Sequence, residues 1–372
     1  MKMKHIVEAV AAASILAAGT AAAADISIYG RTDAGLKYTA LKHGKDTLEL
    51  KSGGRSTNRF GFNIVEDLGN GWKVKGYLEN GFTIDDGAMG TANQLFNRRS
   101  ILAVAGPYGE IGMGRAGTVQ STVAPYTMGL IKYDPFGTSY GNASIGSAFA
   151  NTSRVNNGVH YVSPKFAGVN FGLSYSFGDS SDDTETTVDY EDRDHTFAAA
   201  VNYTGENLYL SGTFANVTYA NNAATPRADA QIYGAGGWWR FMPETRLFFG
   251  AAYQSKWKSA ASLSVKADST TGITTDDVYN GFDGVSALIG MDWISGPHKV
   301  MADVQYFDGE LNADSNIDYK RTILAAAYEY YFSKKVIGYF AVTHSMSSGA
   351  AEAIGSGDPD ASEVFLGLNF NF

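Results

Sequence analysis

Glu363-Val364-Phe365-Leu366-Gly367-Leu368-Asn369-Phe370-Asn371-Phe372 alternates strictly. Val364, Leu366, Leu368, Phe370 and Phe372 fall on one face and Glu363, Phe365, Gly367, Asn369 and Asn371 on the other, the two-residue period of a β-strand. In water such a strand end, with an apolar face and unpaired N–H and C=O groups, is a template for aggregation. Closing the sheet removes that edge: the last strand pairs with the first, one face meets lipid, the other a polar interior, and the terminal aromatic sits at the membrane interface. The stretch predicts an all-β protein, a transmembrane antiparallel β-barrel of a bacterial outer membrane.

The other end agrees. Lys2 and Lys4, an Ala-rich apolar stretch from Ile6 to Ala18 and Ala22-Ala23-Ala24 before Asp25 read as a signal peptide over residues 1–24, leaving a barrel over 25–372. Glu8 is out of place inside that stretch. No later segment approaches the roughly 20 apolar residues of a membrane-spanning helix. The absence of cysteine excludes disulfides, Cys-zinc sites and thiol nucleophiles. Losing two lysines and one glutamate with the signal takes the net charge from −9 to −10, which makes nucleic acid an improbable partner.

Stretches of about ten alternating residues recur, the length a tilted membrane strand needs. Val169 to Phe177 and Val285 to Trp293 are the clearest. Between such stretches lie seven short segments rich in turn formers, at 67–71, 106–109, 164–168, 204–207, 242–244, 295–298 and 332–335. Eight longer polar segments, at 39–54, 83–94, 116–153, 178–194, 220–228, 256–282, 309–318 and 346–361, alternate with them. Seven turns and eight loops join sixteen strands, an up-and-down barrel too wide for side chains to fill and therefore an aqueous channel.

Strand phase then sorts the charges. Phe60, Phe62 and Ile64 share one face, so Arg55, Arg59 and Asn63 take the other and Arg59 points into water; Trp72, Val74 and Leu78 place Lys73, Lys75, Tyr77 and Glu79 inward. Arg31 and Asp33 share the polar face of the first strand, whose outer face carries Ile26, Ile28, Gly30, Thr32 and Ala34. Arg98 and Arg99 are adjacent and the following Ile101-Leu102-Ala103-Val104 is apolar throughout, so the phase there stays open. One of the two must face inward, because an arginine facing mid-bilayer lipid costs about 2–4 kcal/mol. Arg115 closes the fifth strand.

Asn58-Arg59-Phe60-Gly61-Phe62, Glu66-Asp67-Leu68-Gly69-Asn70-Gly71, Asn97-Arg98-Arg99, Gly112-Met113-Gly114-Arg115, Asp134-Pro135-Phe136-Gly137, Arg154-Val155-Asn156-Asn157-Gly158-Val159 and the terminal Phe372 together resemble the general trimeric porins of Gram-negative proteobacteria. The resemblance covers Asp25 to Phe372. It implies a homotrimer in which the third loop, 116–153, folds into each barrel and faces a ladder of arginines. Matched by motif, Arg59, Arg98 and Arg115 form that ladder, with Arg31 and Lys75 on the same wall, and Asp134 is the loop's acid. Family loops often carry several acids, whereas Lys132 and Asp134 are the only charged residues in this one. The constriction is therefore expected to be net positive and weakly anion-preferring, because charges beyond about 8 Å are screened at physiological salt and local charge decides in a narrow aqueous passage.

Three other motifs weigh less. Gly112-Met113-Gly114-Arg115-Ala116-Gly117 matches a dinucleotide fingerprint, but no helix follows it. The acidic run 179–194 offers oxygen ligands for Ca²⁺ without the spacing of a calcium loop, and no other cofactor is expected. The scattered histidines make no Ser-His-acid constellation, so no enzyme is expected. Passive diffusion of small hydrophilic solutes and ions is the leading expectation. The second is a substrate-specific channel for sugar, phosphate or organic acid, kept open by Tyr126, Tyr133, Phe136, Tyr140 and Phe149 of the third loop.

Overall fold

The structure, a computed structural model, describes residues 24–178, 193–220, 227–259, 280–349 and 360–372. Most of them form one antiparallel sheet that closes on itself. Its strands are β1 (Asp25–Leu41), β2 (Thr47–Ser52), β3 (Arg59–Gly69), β4 (Trp72–Gly81), β5 (Arg99–Gly106), β6 (Gly109–Gly117), β7 (Arg154–Val162), β8 (Val169–Ser176) and β9 (His195–Thr204). The remainder are β10 (Leu208–Thr218), β11 (Ala230–Met242), β12 (Thr245–Trp257), β13 (Phe282–Ser295), β14 (His298–Leu311), β15 (Asp314–Tyr331), β16 (Val336–Gly349) and β17 (Ala361–Asn371). β2 and β3 pair in sequence along β1 and form one interrupted staircase, so the barrel has sixteen staves. The lower half of β1 pairs with β3 and its upper half with β17, from Arg31↔Asn371 to Leu41↔Ala361. Phe372 exchanges both backbone hydrogen bonds with Gly30, each 3.0 Å, which seals the seam.

All seven expected short turns join neighbouring strands. Two expected loops shrink. Within 39–54, β1 runs on to Leu41 and 47–52 is strand, the interruption coming at 53–58, where Asp33 accepts the N–H groups of Arg55 (3.4 Å) and Ser56 (3.1 Å). Over 309–318, β14 and β15 pair out to Leu311↔Asp314. Strands that project beyond the membrane are polar on both faces, so period alone reads them as loop. The expected signal peptide and nearly all of the acidic run 179–194 lie outside the described residues.

The outer face is apolar, with exposed Ile26, Ile28, Leu102, Ile111, Val201, Ile289, Leu324 and Leu366 among many. Exposed aromatics gather at two levels. Trp72, Tyr108, Phe166, Tyr203, Trp239, Trp293 and Phe332 mark the short-turn end, and Tyr38, Phe177, Phe197, Tyr233 and Tyr253 the long-loop end. Two such girdles flanking an apolar band are the mark of a barrel in a bilayer. The buried residues lie inside, where residues 118–153 fill part of the lumen.

Candidate functional site

The third loop leaves β6 after Gly117 and returns to β7 at Arg154, touching the inner wall along the way. Near its start the Tyr126 ring stacks on His160 of β7 (4.7 Å, 9°) and its hydroxyl donates to Glu110 of β6 at 3.3 Å. Tyr133 donates to the Ser211 carbonyl of β10 at 3.1 Å and lies over Gly236 and Gly250, where any Cβ would come within 2.7 and 3.0 Å of it. Farther on, Ser286 donates to Ala148 O (2.7 Å), Gln305 to Ala143 O (2.7 Å) and Arg321 to Asn142 Oδ1 (2.9 Å), while Glu363 accepts the Asn142 N–H (2.8 Å). Tyr140 packs on Tyr339 and Phe365 and donates to Glu329 at 2.8 Å. With the Val119 N–H donating to Ser174 Oγ of β8 at 3.0 Å, the loop thus lines the inside of β6–β8 and β10–β17.

All five loop aromatics are buried in these contacts. They anchor the loop and are not presented to the lumen, which removes the observation that favoured an aromatic slide.

The stretch of wall formed by β1 and β3–β5 receives no hydrogen bond from the loop among the described residues, and it carries the cations. Alternation holds as expected: Tyr29, Arg31 and Asp33 of β1, Arg59 of β3 and Lys75, Tyr77 and Glu79 of β4 face inward, opposite exposed Ile28, Leu36 and Trp72. Arg99 lies on the inner face of β5, in phase with buried Ile101 and Ala103, and Arg98 precedes that strand. Both converge on Glu79, which is 1% exposed: Arg98 Nε donates to Oε1 at 2.7 Å, Arg99 to Oε2 at 2.9 Å, and the Tyr29 hydroxyl to Oε2 at 2.9 Å. The alternative between the two arginines dissolves, because one carboxylate holds both.

The rest of the expected set divides. Arg31 donates to Asn371 Oδ1 (2.6 Å) and Ser56 Oγ (2.8 Å), and Arg59 to the Thr57 carbonyl (3.0 Å); neither has an ion pair among the described residues. Lys75 is neutralised by Glu110 at 2.7 Å. Lys132 is exposed on the loop. Arg115 sits at a register shift in β6, opposite Ser100, donates to Asn97 O (2.8 Å) and Asn156 Oδ1 (2.5 Å), and with Arg98 acts on the charge of Arg154.

Asp134 departs most. It does not face the arginines but is 3% exposed against β14, beside Asp303, because its Oδ1 is taken by the Phe136 N–H at 2.6 Å in the turn that Asp-Pro-Phe-Gly makes. Burial, reinforced by the Asp303 carboxyl, raises it well above the usual carboxylate range. Two basic residues outside the expected set join the cluster. Arg154 donates to Arg98 O at 3.0 Å, and Arg55 forms a two-pronged pair with Glu329 at 2.8 and 2.9 Å. Arg154 stood in a quoted motif and was recoverable from it; Arg55 phases with Arg59 onto the polar face in the sequence, and the structure sets it in the strand interruption, from which it reaches Glu329 of β15.

Comparison with known proteins follows the same line. The family model described as Gram-negative porin matches residues 9–350. An outer membrane porin protein of Bordetella pertussis is 27% identical over 87% of this chain and 90% of its own length. Outer membrane porin protein 32 of Delftia acidovorans is 33% identical over 45% of this chain and 48% of its own. The solved anion-selective porin from Comamonas acidovorans shares the fold, with TM-score 0.70 at 21% identity, 94% of this chain and 100% of that one being covered. A closed sixteen-stave barrel, girdled for a bilayer and narrowed by an inward loop, has its place here: this chain belongs to the Gram-negative porin family, a multi-pass β-barrel of the outer membrane through which small hydrophilic solutes and ions diffuse passively.

Proposed function

We propose that the protein is a homotrimeric general diffusion porin, exported by cleavage after Ala24, with a weak preference for anions. One observation carries the preference. Among the described residues the wall of β1 and β3–β5 holds Arg31 and Arg59 without an ion pair, while the single acid of the third loop is buried against the far wall. Glu79 offsets only part of the charge of Arg98 and Arg99. Solutes passing between this wall and the loop meet a positive field that bulk counterions screen poorly in a confined passage. Arginine keeps that charge at any relevant pH.

The channel performs no chemistry on its solutes in this reading. Planar-bilayer recording of refolded protein tests it, with ohmic openings in groups of three expected. Small openings that one sugar or organic acid blocks saturably, without a common threefold step, would favour a substrate-specific channel instead. Hydrolysis of lipid in mixed micelles would reopen an enzymatic role.

A further inference from the structure

On the opposite wall, at the short-turn end, β11 and β12 place two arginines directly across from each other. The register pairs Arg240 with Arg246, and the next inward pair is Trp238 with Phe248. Like charges directly opposed destabilise a β-ladder. Arg246 is compensated: its Nε donates to Asp292 Oδ1 at 3.0 Å and its second nitrogen to Oδ2 of the same, fully buried carboxylate. Arg240 is not. Its side chain has no ion pair or hydrogen bond with any described residue, and its guanidinium lies over the Trp238 indole at 5.9 Å, where Arg246 also lies, at 5.5 Å. The half-buried indole is itself stacked on Tyr209 (6.2 Å, 15°), so its position is fixed. Lys299 lies in the same field as Arg246 and Asp292.

Toward the long-loop end, the next inward pair after Trp238 and Phe248 is Gly236 with Gly250, on which Tyr133 of the third loop rests. The cluster therefore lies just beyond the loop on the short-turn side, where a solute that has cleared the narrowing emerges.

We propose that Trp238, Arg240 and Arg246 form an anion-binding subsite in this vestibule, for a small organic anion with a flat apolar body, such as an arylcarboxylate. The carboxylate takes the uncompensated Arg240 guanidinium, and the ring lies on the guanidinium–indole surface, which offers both apolar area and a cation–π partner. A bound anion also relieves the repulsion between the two arginines. The subsite would hold such solutes briefly on exit, separately from the charge at the constriction.

The test is block of chloride current in planar bilayers by benzoate added on the short-turn side, with acetate and benzamide supplying charge alone and ring alone. Native protein is expected to show saturable block by benzoate and none by either control at the same concentration. Arg240→Gln is expected to weaken the block about tenfold, the loss of one charge-assisted contact. Trp238→Leu should weaken benzoate block as well. Arg240→Gln removes a repulsion and should fold, which heat-modifiable mobility on gels and ohmic openings in groups of three verify. Arg59→Gln leaves this subsite intact, so its benzoate block should match that of native protein even where its zero-current potential moves, which separates failure here from failure of the constriction reading. Equal block of native and Arg240→Gln protein by benzoate, or acetate blocking as strongly as benzoate, would overturn the proposal.

Discussion

Arg31, Arg59 and Arg99 on strands, Arg98 just before one, and the shared Glu79 set the character of the passage. Period-two phasing was enough to turn Arg31, Arg59, Lys75 and Glu79 inward, because each alternates with residues that only lipid accepts. Phasing stayed open at Arg98 and Arg99, and Arg115 entered the ladder by motif and not by phase. An apolar run carries no alternation, and a register shift moves a side chain off the face its neighbours predict. Asp134 was placed on the wrong side because a carboxylate can cap its own turn, a local hydrogen bond that strand periodicity does not encode. Two predictions belong at this scale. Arg59→Gln removes a cation that has no ion pair among the described residues and should move the zero-current potential toward the nonselective value with little change in thermal stability. Glu79→Gln strips two guanidiniums of their shared buried partner; stability should fall by about 3 kcal/mol, and the surviving channels should prefer anions more strongly than native ones. Both are read from melting curves and salt-gradient potentials on the same preparations.

Among the elements, the third loop decides the width of the passage, and little of its docking was legible. Its length and low charge stood out in the sequence, but the rings that seemed to line a path for solutes are the pegs that hold it. Glycines on the facing strands are the complementary signal: Gly236 and Gly250 leave the space Tyr133 occupies. Gly250→Leu should displace the loop from β12 and give larger, noisier openings in single-channel records. Asp134 makes the docking depend on pH. A carboxyl that keeps its proton when docked and loses it when free favours docking most below the ordinary carboxylate range, near ~4, and that contribution fades as pH rises through its raised value. Current noise from loop motion should therefore increase from pH 5 to pH 8. Asp134→Asn keeps the acceptor for the Phe136 N–H and cannot itself titrate, so its noise should rise less over that range than that of the native channel, Asp303 being the carboxyl left at the contact.

For the whole molecule, the barrel was readable because closure, turn chemistry and alternation all point the same way. All seven short turns were identified, and the misplaced loops are those where strands continue beyond the bilayer. The outer face of β1, with Thr32 and Ala34 between larger apolar residues, suits contact with a neighbouring copy better than lipid. In the proposed homotrimer, Thr32→Lys should give monomer on native gels while the barrel remains heat-modifiable; an oligomer unchanged by it would move the interface elsewhere. The central claim concerns the sign of the field in the passage, where an acidic protein is expected to favour anions because Arg31 and Arg59 face a loop whose one carboxylate is turned away. The zero-current potential of the native channel across a tenfold potassium chloride gradient measures that sign directly. The account predicts a potential displaced modestly toward the chloride equilibrium value; displacement toward the potassium value would contradict it.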